Sequence, residues 1–403
     1  MRCCALCFVF GLLSAALAVP SSAQAQATSS AASTASVAHV YVQTKSGVDV
    51  LNANAAGQLT EVSGSPFPDS GEMEAVRGNT LLISVGTNDL HSYALSSDGA
   101  VGRQLAQIDT ANYGGSQCGN TDNSGSILDH TGQYFSVQLY GTLTNDGNNY
   151  LCDAWQTYKV AANGEFTFLG DWVNSSTSGP FAYELSPLDL NMMTVSSNDK
   201  YTYGKVTDPD GDSFVPFTRA ESGEVTLNSD FMETGPTPES GSTPYVPLAV
   251  AADPSGHLAA VMQGSKNTQL ASYTINNSTG SIQSTNTWKN MPVIKNTGYP
   301  LVMSPAGNLV ALGSLGAAGG VGVFHFNGAA PPTYYTTLLP SVEIDQLAWD
   351  KSNHLYALSY VTDRLYVYTI TTTSVKPVAG SPYTVPGAEQ GAWGLTGFVV
   401  VPQ

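Results

Sequence analysis

Asp253-Pro254-Ser255-Gly256-His257-Leu258-Ala259-Ala260-Val261 is a polar turn that runs straight into an apolar strand. The pattern returns as Ser304-Pro305-Ala306-Gly307-Asn308-Leu309-Val310-Ala311-Leu312, as Asp350-Lys351-Ser352-Asn353-His354-Leu355-Tyr356-Ala357-Leu358, and earlier as Asp129-His130-Thr131-Gly132-Gln133-Tyr134-Phe135-Ser136-Val137. Each copy sets a Gly or Asn where the turn needs φ > 0 and then a short strand. A supersecondary unit that recurs at this scale cannot bury its apolar faces alone and must stack against its neighbours.

A second turn follows each unit. It stands at Ala56-Gly57, Asp98-Gly99, Asn163-Gly164, Ser222-Gly223, Thr279-Gly280 and Asn327-Gly328, with a Gly-free variant around Thr373. Successive positions are 42 to 65 residues apart, a range that overlaps the roughly 40–50-residue period of propeller blades. Alternating strands such as Leu90-His91-Ser92-Tyr93-Ala94-Leu95 and Leu365-Tyr366-Val367-Tyr368-Thr369-Ile370 precede them, and no convincing amphipathic helix of about 10 or more residues interrupts the series. The expected fold is all-β: a seven-bladed β-propeller of four-stranded antiparallel blades. The ends agree. His39-Val40-Tyr41-Val42-Gln43 begins like the second strand of a blade that lacks its first, and Leu395 to Val401 is an orphan strand at the other end. Pairing them completes the last blade and leaves no open edge at the seam.

Outside the ring, Met1-Arg2 followed by an apolar run to Val19 has a secretory signal layout, with small residues around Ala25 and Ala27 for cleavage. The run is shorter than the roughly 20 residues of a spanning helix. The expected organisation is therefore a signal peptide over 1–27, a flexible Ser/Ala/Thr leader over 28–37 and a single propeller domain over 38–403. Export places the mature chain in the periplasm or outside the cell. The net charge is −17, and loss of the leader's one cation takes it to −18, so phosphate backbones and anionic membranes are repelled. A monomer is expected, with no nucleic-acid partner and no membrane insertion after cleavage. The expected partner is a small-molecule, glycan or protein ligand.

In a propeller the two short turns of each blade share one face, and the strand two to three loops and blade crossovers share the other. That second face carries the longer segments Gly114–Gly125, Gly141–Tyr150, Thr207–Ser213 and Glu233–Pro247, and long loops on a rigid frame are where binding concentrates. Glu74, Tyr183, Glu184, Tyr245, Tyr299, Asp345 and Trp393 stand at the entry to inner strands, where aromatics and carboxylates around a concavity suit a neutral or cationic polar ligand such as a sugar; packing between blades is the alternative. His130, His257 and His354, with Asp129, Asp253 and Asp350, fall in the short turns and are expected to hold those turns. His91 lies nearer the elaborated face. Cys118 and Cys152 are the cysteines left after processing and are expected to form a disulfide, free thiols being the alternative. Asp208, Asp210 and Asp212 alternate in a loop that could wrap calcium, although Gly211 and Arg219 fall out of step with an EF-hand; the alternative is a solvated acidic turn. No other cofactor is expected.

Val40-Tyr41-Val42-Gln43-Thr44, its Gly turn and the Val62-Ser63-Gly64-Ser65-Pro66-Phe67 segment, which returns as Val378-Ala379-Gly380-Ser381-Pro382-Tyr383, resemble the lactonase-type seven-bladed propellers with YVTN-type repeats. That family includes 6-phosphogluconolactonase and muconate-cyclising branches and exported relatives. The resemblance implies lactone hydrolysis, with a channel carboxylate such as Glu74 or Asp345 as general base. Its enzymatic branches carry a His-x-His segment and channel arginines, whereas here no two histidines lie within twenty residues and the arginines after processing are Arg77, Arg103, Arg219 and Arg364. The chain is thus expected to be an atypical exported member that works as a binding module through its loop-rich face and channel, with lactone hydrolysis as the alternative.

Overall fold

The structure is a computed structural model that describes residues 35–68, 71–86, 88–112, 119–145, 148–175, 184–185, 193–208, 211–228, 231–295, 300–314, 319–389 and 397–403. Residues 1–34, which hold the expected signal peptide and most of the expected leader, lie outside them. No helix among the described residues is long and apolar enough to cross a membrane.

Seven antiparallel sheets follow one another along the chain. Blade 1 takes Glu72–Arg77, Thr80–Val85, Asp89–Leu95 and Val101–Asp109 as strands one to four, and blade 2 takes Gly119–Leu128, Tyr134–Asn145, Asn148–Val160 and Phe166–Ser175. In blade 3 the inner strand is split into Glu184–Leu185 and Thr194–Val195, both paired with Tyr201–Asp208, and Gly211–Arg219 and Val225–Leu227 follow. Blade 4 is Val246–Ala252, His257–Gln263 and Thr268–Ile275, with a broken outer strand, Ile282–Gln283 and Val293–Ile294. Blade 5 is Leu301–Met303, Leu309–Ser314, Gly320–Asn327 and Ala330–Leu338, and blade 6 is Gln346–Trp349, His354–Ser359, Arg364–Ile370 and Val375–Pro377. Blade 7 is built from both ends of the chain. Phe398–Pro402 is its inner strand and pairs with Ala38–Thr44 from Ala38 opposite Pro402 to Val42 opposite Phe398; Gly47–Ala53 and Leu59–Glu61 complete it.

The core is as circular as the chain path. Among the described residues the buried apolar side chains form seven clusters, and each joins two successive blades. Trp155 of blade 2 stacks on Phe217 of blade 3 with ring centroids 4.9 Å apart, for example, and Tyr41 of blade 7 shares a cluster with Met73 and Leu81 of blade 1. The sheets therefore bury their faces against one another, as the repeat required.

Both sequence repeats are structural. Asp253 accepts hydrogen bonds from Ser255 N and His257 N at 2.8 and 2.7 Å, and Asp350 accepts the same pair from Ser352 N and His354 N at 2.8 and 2.9 Å. Ser304 takes the role with Leu309 N at 3.1 Å. The second turn is where blades interlock. Gly280 of blade 4 has φ +78° and lies so close to Tyr201 of blade 3 that a Cβ would stand 2.7 Å from the ring; Tyr203 donates its hydroxyl to Gly280 O at 2.8 Å. The Val-x-Gly-Ser-Pro-aromatic copies match as well: Val50 N donates to Ser65 Oγ at 2.8 Å and Val367 N to Ser381 Oγ at 2.9 Å, and both glycines have φ +93°.

Two of the four segments expected as long loops are instead hairpin extensions. Gly141–Tyr150 continues strands two and three of blade 2 until Asn145 pairs with Asn148, and in Thr207–Ser213 the ladder of blade 3 runs on to Asp208 opposite Gly211. Backbone pairing satisfies more N–H and C=O groups than an open polar loop would. Glu233–Pro247 begins with a short strand, Glu233–Thr234, parallel to Ile282–Gln283 on the outside of blade 4. The fourth segment, Gly114–Gly125, is described only from Gly119, where it forms strand one of blade 2.

Candidate functional site

The short-turn face spends its titratable groups on itself. Asp350 is fully buried; burial pushes its carboxyl up, but hydrogen bonds from His354 and Tyr356 outweigh this and hold it below the usual carboxylate range. His354 Nδ1 lies 2.7 Å from Asp350 Oδ2 and His257 Nδ1 lies 3.1 Å from Asp253 Oδ2. His130 reaches across to blade 3, with Nδ1 2.8 Å from Asp199 Oδ1. Asp253 and Asp350 hold their turns, as expected, and His130 in addition joins blade 2 to blade 3. His39 does the same work: its ring packs against Gly99 of blade 1 and its Nδ1 is 2.5 Å from Asn52 Oδ1. That role was hidden in the sequence because the residue precedes any recognisable turn. His91 shares a 3.1 Å hydrogen bond with Tyr93 OH.

Of the residues expected at the channel mouth, Glu74, Tyr245 and Asp345 have described side chains. Glu74 occupies the bulge between Met73 and Ala75 in the inner strand of blade 1. One carboxylate oxygen accepts from Ser84 Oγ at 2.5 Å and the other from Ser126 of blade 2, so it bridges two inner strands. Asp345 precedes the inner strand of blade 6 and accepts from Tyr360 N at 2.7 Å; burial, and then the nearby Glu343, raise its carboxyl above the usual range. Tyr245 precedes the inner strand of blade 4, yet its ring packs on Gly264 at the end of strand two and its hydroxyl donates to Gln269 Oε1 at 2.5 Å. Glu184 opens an inner strand of blade 3, and only its backbone is described. Tyr183, Tyr299 and Trp393 lie outside the described residues. So do Cys118 and Asp210, and for Cys152, Asp208 and Asp212 the backbone alone is described, in paired strands.

Two concavities of the loop-rich face lie at blades 4 and 5. A recess of about 220 Å3 is lined by Glu239, Tyr245, Lys266, Gln269 and Trp288. Lys266 Nζ meets Glu239 Oε2 at 2.5 Å across it, and Gln269 Nε2 donates to Trp288 O and Met291 O at 3.0 and 2.9 Å. Trp288 is 37% exposed. A larger groove, of about 590 Å3, lies between Val293–Lys295 and the sheet of blade 5. The sequence pointed to Tyr245 but not to Trp288, because the break in blade 4's outer strand that brings Trp288 forward has no repeat to betray it.

Neither a family model nor a curated protein matches the sequence. Solved structures do. A candidate 6-phosphogluconolactonase from Bacteroides uniformis superposes with a TM-score of 0.60 at 13% identity, over 87% of this chain and 97% of that one. A protein from Lactobacillus plantarum gives 0.59 at 15% identity with the same coverage, and a candidate 6-phosphogluconolactonase from Bacteroides fragilis gives 0.56 at 11%, over 88% and 97%. The chain has a seven-bladed β-propeller fold, as these structures do. At these identities the likeness is one of architecture, and side chains decide the rest.

Proposed function

We propose that this chain is an exported binding module whose loop-rich face takes a small polar ligand of sugar-like chemistry in the recess between Tyr245 and Trp288. The observation that carries the reading is the composition of that recess: two aromatic rings, an amide and an ion pair around one hollow. Rings cover the apolar face of a pyranose while Glu239 and Lys266 exchange hydrogen bonds with its hydroxyls, and Gln269, bonded to Tyr245 OH and Trp288 O, holds the two aromatic residues in place. The volume, about 220 Å3, is below the ~300–1,000 Å3 of drug-sized sites and suits a single ring. Saturation-transfer NMR against a panel of neutral mono- and disaccharides tests it. Saturable binding that falls at least tenfold in Trp288→Ala is expected, and a panel that yields no binder, or a binder indifferent to Trp288→Ala, removes the reading.

The second reading is lactone hydrolysis, and it is supported as well by the fold. Asp345 favours it: a carboxyl with a raised proton affinity at an inner-strand entry is placed to act as general base on water. A neutral lactone fits better than a phosphorylated one in a chain of net charge −17. If D-glucono-δ-lactone is turned over, Asp345→Asn should lower kcat by a factor of about 100 or more, in line with general-base loss; a rate unchanged in both Asp345→Asn and Glu74→Gln ends that mechanism.

A further inference from the structure

The groove between blades 4 and 5 leaves unfilled what the junction of blades 5 and 6 fills. Ser314 is opposite Gly320, and Leu312 is opposite Gly322, so with Phe324 these five residues point to one face of blade 5. That face looks toward Val293–Lys295 of blade 4. In blade 6 the same register gives Ser359 opposite Arg364 and Ala357 opposite Tyr366, which sets Arg364, Tyr366 and Tyr368 where blade 5 has Gly320, Gly322 and Phe324. Backbone geometry explains part of the loss. Gly320 has φ +125° and a Cβ there would stand 2.8 Å from Leu338 O. It does not explain Gly322, whose φ is outside the left-handed region and whose Cβ would meet only the edge of the Phe324 ring, at 3.0 Å. An interior glycine weakens a strand, and what this one provides is space.

The lining has two chemistries. Leu312, Phe324 and Tyr334 make it apolar; Tyr334 is 59% exposed and meets Phe324 edge to face at 5.9 Å. Two polar groups interrupt it. Ser314 is 5% exposed and its buried hydroxyl has no hydrogen-bond partner among the described residues, an unfavourable state unless something answers it. Lys295 is exposed and enters no ion pair among the described residues. A volume of about 590 Å3 lies within the ~300–1,000 Å3 range of small-molecule sites.

We propose that this groove is a binding site for a small amphipathic carboxylate, its apolar body laid over Gly322 against Phe324 and Tyr334 and its carboxylate received by Lys295 and the Ser314 hydroxyl. The site is separate from the Tyr245 recess and stands without it. The probe is trans-cinnamate, with cinnamamide as its uncharged twin, titrated calorimetrically into the purified protein. One saturable site is expected, with cinnamate preferred over cinnamamide. Gly322→Val fills the groove and should weaken cinnamate at least tenfold, while Trp288→Ala leaves it unchanged. Lys295→Gln, an exposed change that keeps the fold, should weaken cinnamate about three- to fivefold, the scale of a solvent-exposed ion pair, and erase the preference over cinnamamide. Absence of saturable binding, an equal affinity for the amide, or cinnamate binding untouched by Lys295→Gln overturns the proposal, whether or not Gly322→Val folds.

Discussion

Glu233 shows how one residue can bind the stability of the ring to pH. It begins the crossover into blade 4 and is wedged between blades: Oε2 accepts from Phe214 N of blade 3 at 3.0 Å, and Oε1 from Tyr273 OH of blade 4 at 3.2 Å. Burial pushes its carboxyl up from the ordinary 4.5 to about 7, against the lowering effect of those two hydrogen bonds. Between these values the folded chain holds a proton that the unfolded chain releases, so stability falls as pH rises from about 4.5 to about 7 and is level above that. The difference is on the order of 3 kcal/mol. Glu233→Gln keeps an acceptor for Phe214 N and removes the titration. Chemical denaturation at pH 5 and pH 8 should show the variant gaining on the parent at the higher pH; a gap that stays constant between the two conditions would exclude Glu233 as the source. Asp350 acts in the opposite sense, because its carboxyl is held below the usual range. It contributes stability above the unfolded value that is lost on acidification, and Asp350→Asn should flatten the acid limb of the same profile.

At the scale of the element, the second turn of each blade carries the load. In the pairs His354 with Gly57, His39 with Gly99, Tyr134 with Gly223, Tyr201 with Gly280 and His257 with Gly328, a ring at or near the start of strand two lies against the next blade's turn glycine. A backbone with φ > 0 and a ring at van der Waals distance exclude any side chain there. Gly280→Ala pays for both: left-handed strain of about 1–2 kcal/mol and a Cβ 2.7 Å from the Tyr201 ring. Gly78→Ala incurs strain alone, since nothing lies within 4 Å of a Cβ there. Thermal unfolding should therefore rank Gly280→Ala clearly below Gly78→Ala, and equal melting temperatures would mean that the interlock adds nothing. These turns were legible in the sequence because φ > 0 restricts the residue type. The turn Ser196–Tyr201 escaped notice, since Ser196 replaces Asp and Asp199, with φ +56°, replaces Gly, although Ser196 Oγ still accepts from Tyr201 N at 3.0 Å. The grooves escaped for a related reason. A sequence repeat reports what blades share, whereas Trp288 and Gly322 matter because they depart from it, and a departure in one blade has no second copy to mark it.

For the whole molecule the decisive contact is the seam, and the sequence announced it as a blade lacking its first strand and a strand lacking its blade. Ala38 lies opposite Pro402 in an antiparallel ladder, so the first and last strands meet on the face where every other blade has its strand one to two turn. The natural break is then equivalent to a cut turn, and the ring has no preferred starting blade. Two experiments follow from that equivalence. Deleting Phe398–Gln403 strips the inner strand from blade 7, uncovers the edge of Ala38–Thr44 and takes Phe398 out of the core that joins blades 6 and 7. A loss of about 3 kcal/mol or more is expected from the apolar burial alone, or roughly 6–12 °C in melting temperature at about 2–4 °C per kcal/mol. The converse change joins Gln403 to Ser36 through a short Gly-containing turn and reopens the chain at Gly241, an exposed turn glycine with φ +80° and nothing within 4 Å of a Cβ. That permutant keeps every ladder and all seven inter-blade cores, so it should fold to the same β-rich circular dichroism spectrum and melt within a few degrees of the parent. It should also resist fraying at blade 7, read as slower amide exchange along Ala38–Thr44. A permutant that melts as low as the truncated chain would show that the seam is not an ordinary blade, and the circular symmetry of the core would then need another explanation.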